Sequence, residues 1–316
     1  MRALLVVNPK ATTTSERSRD VLIRALRSAV DLRVEFTRRR GHAVRLVREA
    51  ATLGVDVVVT LGGDGTVNEA VNGLMSALPD MRETGDAPPA ERLPALAVVP
   101  GGSTNVFARA IGLPKDWIEG TGVILEGLRA GRSRTIGLGR ADDRYFTFCA
   151  GFGLDAAVIR RVERARSRGR VSSSSLYLRA TLGEFLATDR RHPAISLERP
   201  AETVIDELAS VIIQNTTPWT YLGDRPVSPN PDASFDLGLD VLAVRQLAVA
   251  KTTRTVTQIL SPRTNPHGRQ VFQLHDVHEF TLLASRPEAF QLDGDYLGER
   301  EKVRFTSVAQ ALRVIC

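Results

Sequence analysis

The 316-residue chain has only two cysteines, Cys149 and Cys316, and aromatic residues make up just 5% of it. Two isolated thiols make neither a disulfide framework nor a thiolate metal site, so the sequence points to a reducing compartment. With few aromatics, the cores must be built mainly from Val, Leu, Ile and Ala. Long hydrophobic runs are missing too: nothing approaches the ~18 consecutive apolar residues that a membrane span needs. The apolar start, ALLVV at 3–7, stops at Asn8-Pro9, which makes it a buried strand and too short for a signal peptide. Acids are fewer than bases, 36 Asp+Glu against 42 Lys+Arg, giving a formal charge of +6 and a pI near 9.8. That balance favours anionic partners without choosing among nucleotide, nucleic acid and acidic lipid. What remains, 43% apolar and 25% charged residues, is the composition of a globular chain long enough for two domains.

The first half alternates strand and helix. Apolar runs at 3–7, 32–36, 55–61 and 95–99 read as strands. Leu22, Leu26, Ala29 and Val30 share one helical face, as do Ala43, Leu46, Val47 and Ala50, and then Val67, Ala70, Val71 and Leu74. This order predicts an α/β domain with a parallel sheet and helices on both faces. Residues 79–94 are polar and Pro-rich, hence a surface loop. From about residue 134 strand-like runs follow one another, at 144–149, 208–214, 239–244, 271–275, 279–284, 302–306 and 311–315, with helices expected over 155–166, 176–187 and 246–260. An antiparallel, β-sandwich-like second domain is expected. The boundary is placed at residues 137 and 138, with the last strand free to pack back on the first domain.

The chemistry concentrates in GGDGTVNE at 62–69, directly after a buried strand. Gly62, Gly63 and Gly65 let the backbone turn sharply and bring N–H groups against phosphate oxygens. The helix that starts near Thr66 aims its positive end at the same space. Asp64 lies where a carboxylate can orient a metal ion or a hydroxyl, and Asn68 and Glu69 follow in the first helical turn. The bland alternative is a tight strand–helix turn capped by Asp64; an eight-residue string of this kind argues for the phosphate site. It is neither a Walker loop nor the dinucleotide fingerprint. A second glycine turn, PGGSTN at 100–105, follows strand 95–99. It should emerge at the same carboxyl edge of the sheet, where open parallel sheets bind ligands. There Gly102, Ser103, Thr104 and Asn105 offer close approach and small hydrogen-bonding groups; alone, they would read as a helix cap. Asn8 in NPKAT and Thr37 after the second strand point to the same edge. His42, which opens a helix, has no evident acid–base partner and reads as structural.

Taken together, GGDGTVNEAVNGL and PGGSTNVFARAIGLP resemble the diacylglycerol-kinase catalytic-domain family, which includes sphingosine and ceramide kinases and is distantly related to NAD kinases. The resemblance runs through nearly the whole chain. It implies ATP as phosphate donor, with Asn8, Thr37, Gly62, Gly63, Asp64, Gly65, Thr66, Asn68, Gly102, Ser103 and Asn105 near the nucleotide. It further implies Mg2+, and a lipid alcohol such as diacylglycerol as acceptor. The family commonly has Thr at the place of Ser103, and a Ser-Gly ending where this chain has Ala11-Thr12.

The same resemblance gives the second half its acids. In QLDGDYLGE (291–299), Asp293-Gly294-Asp295 reads as a hairpin turn, and by itself as solvated turn chemistry. In the resembled family a DG-acid turn brings the catalytic carboxylate into the interdomain cleft. Asp295 matches it, with Asp where Glu is common, and is expected to act beside Asp64. The acidic loop PDASFDLGLD (231–240) is one residue shorter than the family's, leaving Asp236, with Ser234 nearby, as the expected Mg2+ support. CAGFGLDAAV (149–158) also resembles a family motif, and Asp155 is expected to cap the following helix as scaffold.

An arginine-rich run, RRVERARSRGR at 160–170, precedes the serines 172–175 and a helix whose Leu178, Leu182, Phe185 and Leu186 share one side. A solvated face is the plain reading. The alternative is that Arg164, Arg166 and Arg168 hold the protein at an anionic bilayer, a peripheral position on the cytoplasmic face of the membrane. No nucleic-acid recognition motif accompanies the basic charge, and a homodimer stays open. The expected activity is lipid phosphorylation; an NAD-kinase-like activity on a soluble substrate and a non-catalytic nucleotide or lipid sensor are the alternatives.

Overall fold

The computed structural model describes residues 1–11, 15–80, 88–168, 174–189, 192–245, 247–261 and 264–316. These fall into two units, Met1–Leu138 with Ala309–Cys316, and Gly139–Val308.

The first unit is built from β1 (Arg2–Val7), α1 (Glu16–Arg27), β2 (Asp31–Phe36), α2 (His42–Thr52), β3 (Val57–Gly62), α3 (Asp64–Ala77), α4 (Pro89–Arg92), β4 (Ala95–Pro100), α5 (Val106–Ala110) and α6 (Trp117–Ala130). Strands lie in the order β2-β1-β3-β4 and all run parallel, with Val7 opposite both Phe36 and Leu61, and Gly62 opposite Pro100. Continuous apolar runs suit these strands because both faces are covered. Ala3, Leu5, Val7, Val57, Val59, Leu61, Ala97 and Val99 pack with Leu22 and Leu26 of α1 and Ile124 and Leu128 of α6. Leu4, Val6, Val58 and Val98 alternate to the other face and are equally buried; α2 and α3 pack there. A Cβ at Gly73 would meet the Val44 carbonyl oxygen at 2.7 Å, so glycine is what lets α3 approach α2. The chain's end returns to this unit, Val314 pairing with Leu96 in parallel.

The second unit follows β5 (Arg134–Ala141), which begins in the first. It contains β6 (Arg144–Phe146), β7 (Cys149–Gly153), α7 (Leu154–Ser167), α8 (Ser174–Ala187), β8 (Ile195–Glu198), β9 (Ile205–Leu208), β10 (Ser210–Gln214), β11 (Thr220–Leu222), β12 (Arg225–Val227), β13 (Leu239–Val244), α9 (Val249–Ile259), β14 (Val271–Val277), β15 (Glu279–Leu292) and most of β16 (Asp295–Val314). Its sheet runs β14-β13-β10-β7-β15-β16 with antiparallel neighbours. Five phenylalanines gather here: Phe146, Phe152, Phe280, Phe290 and Phe305 share one core, with Phe280 stacked on Phe305 at 5.0 Å between ring centres. The runs at 302–306 and 311–315, expected as separate strands, are one long strand. That at 144–149 is broken between β6 and β7, where Thr147 and Phe148 turn their N–H groups onto Asp293 instead of a neighbouring strand. No helix among the described residues is long and apolar enough to cross a membrane.

Candidate functional site

Parallel pairing of β1, β3 and β4 puts Asn8, the Gly62–Gly65 turn and the Gly101–Asn105 turn at one edge, with Thr37 just past β2. The two glycine turns are packed backbone on backbone. The Gly101 N–H donates to the Gly62 carbonyl at 2.8 Å, and a Cβ at Gly101 would meet the Gly62 nitrogen at 2.8 Å. A Cβ at Gly102 would meet the Gly63 Cα at 2.7 Å. The glycines therefore serve the fit of one turn against the other as well as any approach to phosphate.

Asp64 ties the pair together. Its Oδ2 accepts the Val106 N–H at 3.1 Å and its Oδ1 the Phe107 N–H at 3.0 Å, capping α5 from another element. Helix α3 has no side-chain cap at Gly63, so its first N–H groups face the glycine turns in the manner of an anion site. Asn105 sits at φ 50°, a left-handed conformation that Asn tolerates. Its Oδ1 accepts the Gly102 N–H and its Nδ2 donates to the Gly102 carbonyl, both at 2.8 Å, which closes the second turn. The Asn8 Nδ2 donates to the Thr66 Oγ1 at 3.3 Å, linking the first strand's end to α3.

The other positions predicted here divide by exposure. Ser103 is exposed and Thr37 and Gly65 are half-buried. Asn68 is fully buried, and its Oδ1 and carbonyl accept from the Asn72 Nδ2. The Glu69 carboxylate accepts the N–H groups of Gly41 at 2.7 Å and Ala43 at 3.1 Å, capping α2. His42 is structural, its Nδ1 accepting the Arg38 N–H at 3.1 Å. A cavity of about 530 Å3 lies at the opposite, amino edge of this sheet, lined by Val55, Asp56, Leu93, Pro94, Arg313 and Ile315 among others. Strand polarity separates it from the glycine turns.

In the second unit the hairpin at 291–296 is built by three side chains. Asp293, 4% exposed and at φ 49°, is no solvated turn acid: its Oδ2 accepts the Thr147 N–H and hydroxyl, and its Oδ1 the N–H groups of Phe148 and Cys149, at 2.8–3.1 Å. Gln291 accepts the Gly294 N–H at 2.9 Å, and Glu163 accepts the Tyr296 N–H at 3.1 Å. Asp295 opens β16 opposite Leu292 and is half-buried. Asp155, read as a helix cap, instead accepts from the Gln291 Nε2 at 2.9 Å, and burial pushes its carboxyl up to about 6 despite that donation.

Asp236 is exposed, with its N–H on the Ser234 Oγ at 3.3 Å. Among the described residues no three His, Cys, Asp or Glu side chains converge as a metal cage. One carboxylate beside a hydroxyl still fits Mg2+, which keeps several waters and takes one or two carboxylates plus phosphate oxygens. The buried acid of that stretch is Asp240, which accepts from His275 at 2.9 Å; this bond raises the imidazole above its ordinary range.

The arginine run is partly inward-facing, contrary to a wholly solvated face. Arg160 pairs with Glu299 at 3.0 Å and Glu184 at 3.6 Å, and Arg161 with Glu184 at 3.2 Å. Arg164 and Arg168 are exposed, as are Leu182 and Leu186 of α8. Residues 169–173, with Ser172 and Ser173, and Thr12 of the first turn lie outside the described residues, as do the side chains of Arg166 and Leu178 and part of the 79–94 loop.

Comparison with known proteins gives this geometry a context. Residues 2–141 match the family described as diacylglycerol kinase catalytic domain. The diacylglycerol kinase of Bacillus subtilis is 24% identical over 305 residues, 94% of this chain and 90% of that protein. The crystal structure of a diacylglycerol kinase from Bacillus anthracis superposes with a TM-score of 0.70 at 20% identity, over 99% of this chain and 96% of that one. An NAD kinase from Archaeoglobus fulgidus in complex with ATP superposes at 0.52 and 9% identity, over 100% of this chain and 94% of that one. The structural likenesses establish the shared fold.

Proposed function

Since residues 2–141 match the diacylglycerol kinase catalytic domain family, we propose that the chain is an ATP-dependent lipid kinase that phosphorylates the hydroxyl of diacylglycerol or a related lipid. The observation that carries this reading is the pair of interlocked glycine turns, 62–65 and 101–105, at the carboxyl edge of a parallel sheet. They present backbone N–H groups and the open start of α3 to a polyphosphate, and Asp64 keeps them in register.

In this reading Asn8, Thr37, Thr66, Ser103 and Asn105 line the nucleotide. Asp295 accepts the proton of the lipid hydroxyl while its oxygen bonds to the γ-phosphorus and the bond to the β-phosphate oxygen breaks, releasing ADP. Asp236, with Ser234, would hold Mg2+, which when bound neutralises charge on the phosphates. Asp64 caps α5, yet a carboxylate has about four lone-pair sites, so that role is compatible with waters of the metal.

A lipid acceptor calls for contact with a bilayer. Arg164 on α7, Arg168 just past its end, and Leu182 and Leu186 on α8 are exposed, a composition suited to an anionic cytoplasmic leaflet at ~1 kcal/mol per charge.

The test is purified protein with Mg-ATP and a panel of diacylglycerol, sphingosine, ceramide, undecaprenol and NAD. Phosphorylation of one or more lipids is expected, and Asp295→Asn should lower turnover by roughly 10²–10⁴-fold while ATP still binds. Phosphorylation of NAD alone would overturn the lipid reading. Full activity of Asp295→Asn would remove it as the base.

A further inference from the structure

Gln291 is 1% exposed and both ends of its amide are used. Its Oε1 accepts the Gly294 N–H at 2.9 Å, inside the turn that leads to Asp295. Its Nε2 donates to the Asp155 Oδ2 at 2.9 Å and lies 3.8 Å from the Cys149 Sγ. An amide can accept on one side and donate on the other; neither a carboxylate nor an alkyl chain of that length does both. Asp155 sits in the first turn of α7 and its own N–H reaches the Ser210 Oγ at 3.4 Å. The pair occupies space that only a glycine leaves: a Cβ at Gly151 would collide with the Asp155 Oδ2 and come within 2.7 Å of the Gln291 Nε2. Gln291 thus joins the turn to the start of α7 and to β7, and Asp155 carries the link on to β10, while Asp293 and Glu163 anchor the turn on either side.

We infer that Asp155 and Gln291 form a positioning relay for the acidic turn: Asp155 orients the Gln291 amide, which fixes the Gly294 N–H and with it the path of the backbone into Asp295. The inference rests on the assignment of Asp295 as the base. Its consequence is a residue pair whose loss slows the chemical step without weakening ATP, because the relay touches none of the nucleotide-binding turns.

The relay has a polarity that can be reversed. Gln291→Glu keeps an acceptor for Gly294 but sets a carboxylate against Asp155; combined with Asp155→Asn, the donor and acceptor roles are exchanged and the contact is restored. The experiment measures kcat and KM for ATP, thermal unfolding, and hydrogen exchange at the Gly294 amide in Gln291→Ala, Gln291→Glu, Asp155→Asn and the double variant Gln291→Glu with Asp155→Asn. The expected result is a roughly ten- to hundred-fold loss of kcat in both Gln291 single variants. KM for ATP should not change. Gly294 exchange should be faster in Gln291→Ala, and kcat should recover in the double variant. Asp155→Asn alone, which keeps a neutral acceptor for the amide, should lose less kcat than either Gln291 single variant. Unchanged Gly294 exchange in Gln291→Ala, or no recovery in the double variant, would overturn the relay. Faster exchange with undiminished kcat, in a protein that Asp295→Asn inactivates, would overturn its catalytic meaning while leaving the base assignment standing. An active Asp295→Asn would instead remove the base assignment and the catalytic claim with it, and Gly294 exchange distinguishes that outcome from a failure of the relay's geometry.

Discussion

The Asp64 carboxylate, in the first turn of α3, holds the backbone N–H of Phe107 at 3.0 Å, 43 residues further along the chain. The same carboxylate holds Val106. One side chain thus caps a helix that belongs to the second glycine turn while standing in the first. A nucleotide bound between the turns would depend on that link even if Asp64 never touched it.

Asp64→Ala should therefore lower stability by about 1–2 kcal/mol through the lost cap. It should also weaken ATP binding by roughly ten-fold or more, since each decade corresponds to only about 1.4 kcal/mol. Asp64→Asn, which keeps one acceptor oxygen, should fall between the two. Titration calorimetry with ATP, alongside thermal melts, checks both effects.

The interlocked glycines make a sharper test of packing. Gly102→Ala would put a Cβ at 2.7 Å from the Gly63 Cα, backbone that cannot step aside. It should cost about 1–3 kcal/mol in denaturant unfolding and reduce ATP affinity. Gly122→Ala, in α6, meets nothing within 4 Å. There the helix should gain about 0.5–1 kcal/mol with ATP affinity unchanged.

Asp293 carries the hairpin. Asp293→Ala would leave the N–H groups of Thr147, Phe148 and Cys149 without their acceptor in a buried site. A loss of roughly 2–4 kcal/mol is expected, since stranded buried donors carry their full desolvation penalty. Urea unfolding measures it, and a loss below about 0.5 kcal/mol, the size of an ordinary surface substitution, would show that the carboxylate is dispensable.

Asp155 links stability to pH. Its folded-state pKa of about 6 lies above the ordinary value of 3.8, so the folded protein holds the proton more tightly than the unfolded chain does. Ionisation therefore works against the fold: the group's penalty is absent below pH 4, grows between 4 and 6, and is complete above about 6. At 1.36 kcal/mol per unit the penalty is on the order of 1–3 kcal/mol. Asp155→Asn should be more stable than the parent at pH 8 by about that amount and no more stable at pH 4. Unfolding measured at both values gives the answer, and equal differences at the two pH values would exclude the buried acid as their cause.

Much of the fold was legible because its signals are local. Four apolar runs marked the parallel strands, and the glycine turns that follow two of them lie where strand polarity requires, at one edge. The second unit was less readable. Short strands such as Ile195–Glu198 and Arg225–Val227 are too brief to leave a period, and β15 and β16 are so long that bulges break their alternation. The role of acids was the least readable feature. Asp293 looked like a solvated turn residue, Asp155 like a helix cap and Arg160 like part of a charged surface, because the partners of each are distant in the chain.

The sequence by itself determined that glycine turns stand at the ends of buried strands. Strand, glycine and helix start follow one another within a few residues, and sterics and hydrogen bonding at that range need no tertiary partner. Only the tertiary structure decided what the carboxylates of GGDGTVNE do. Asp64 caps α5 and Glu69 caps α2, since an acid's role depends on which N–H groups meet it, and sheet order and helix packing bring those groups from 43 and from 26 to 28 residues away.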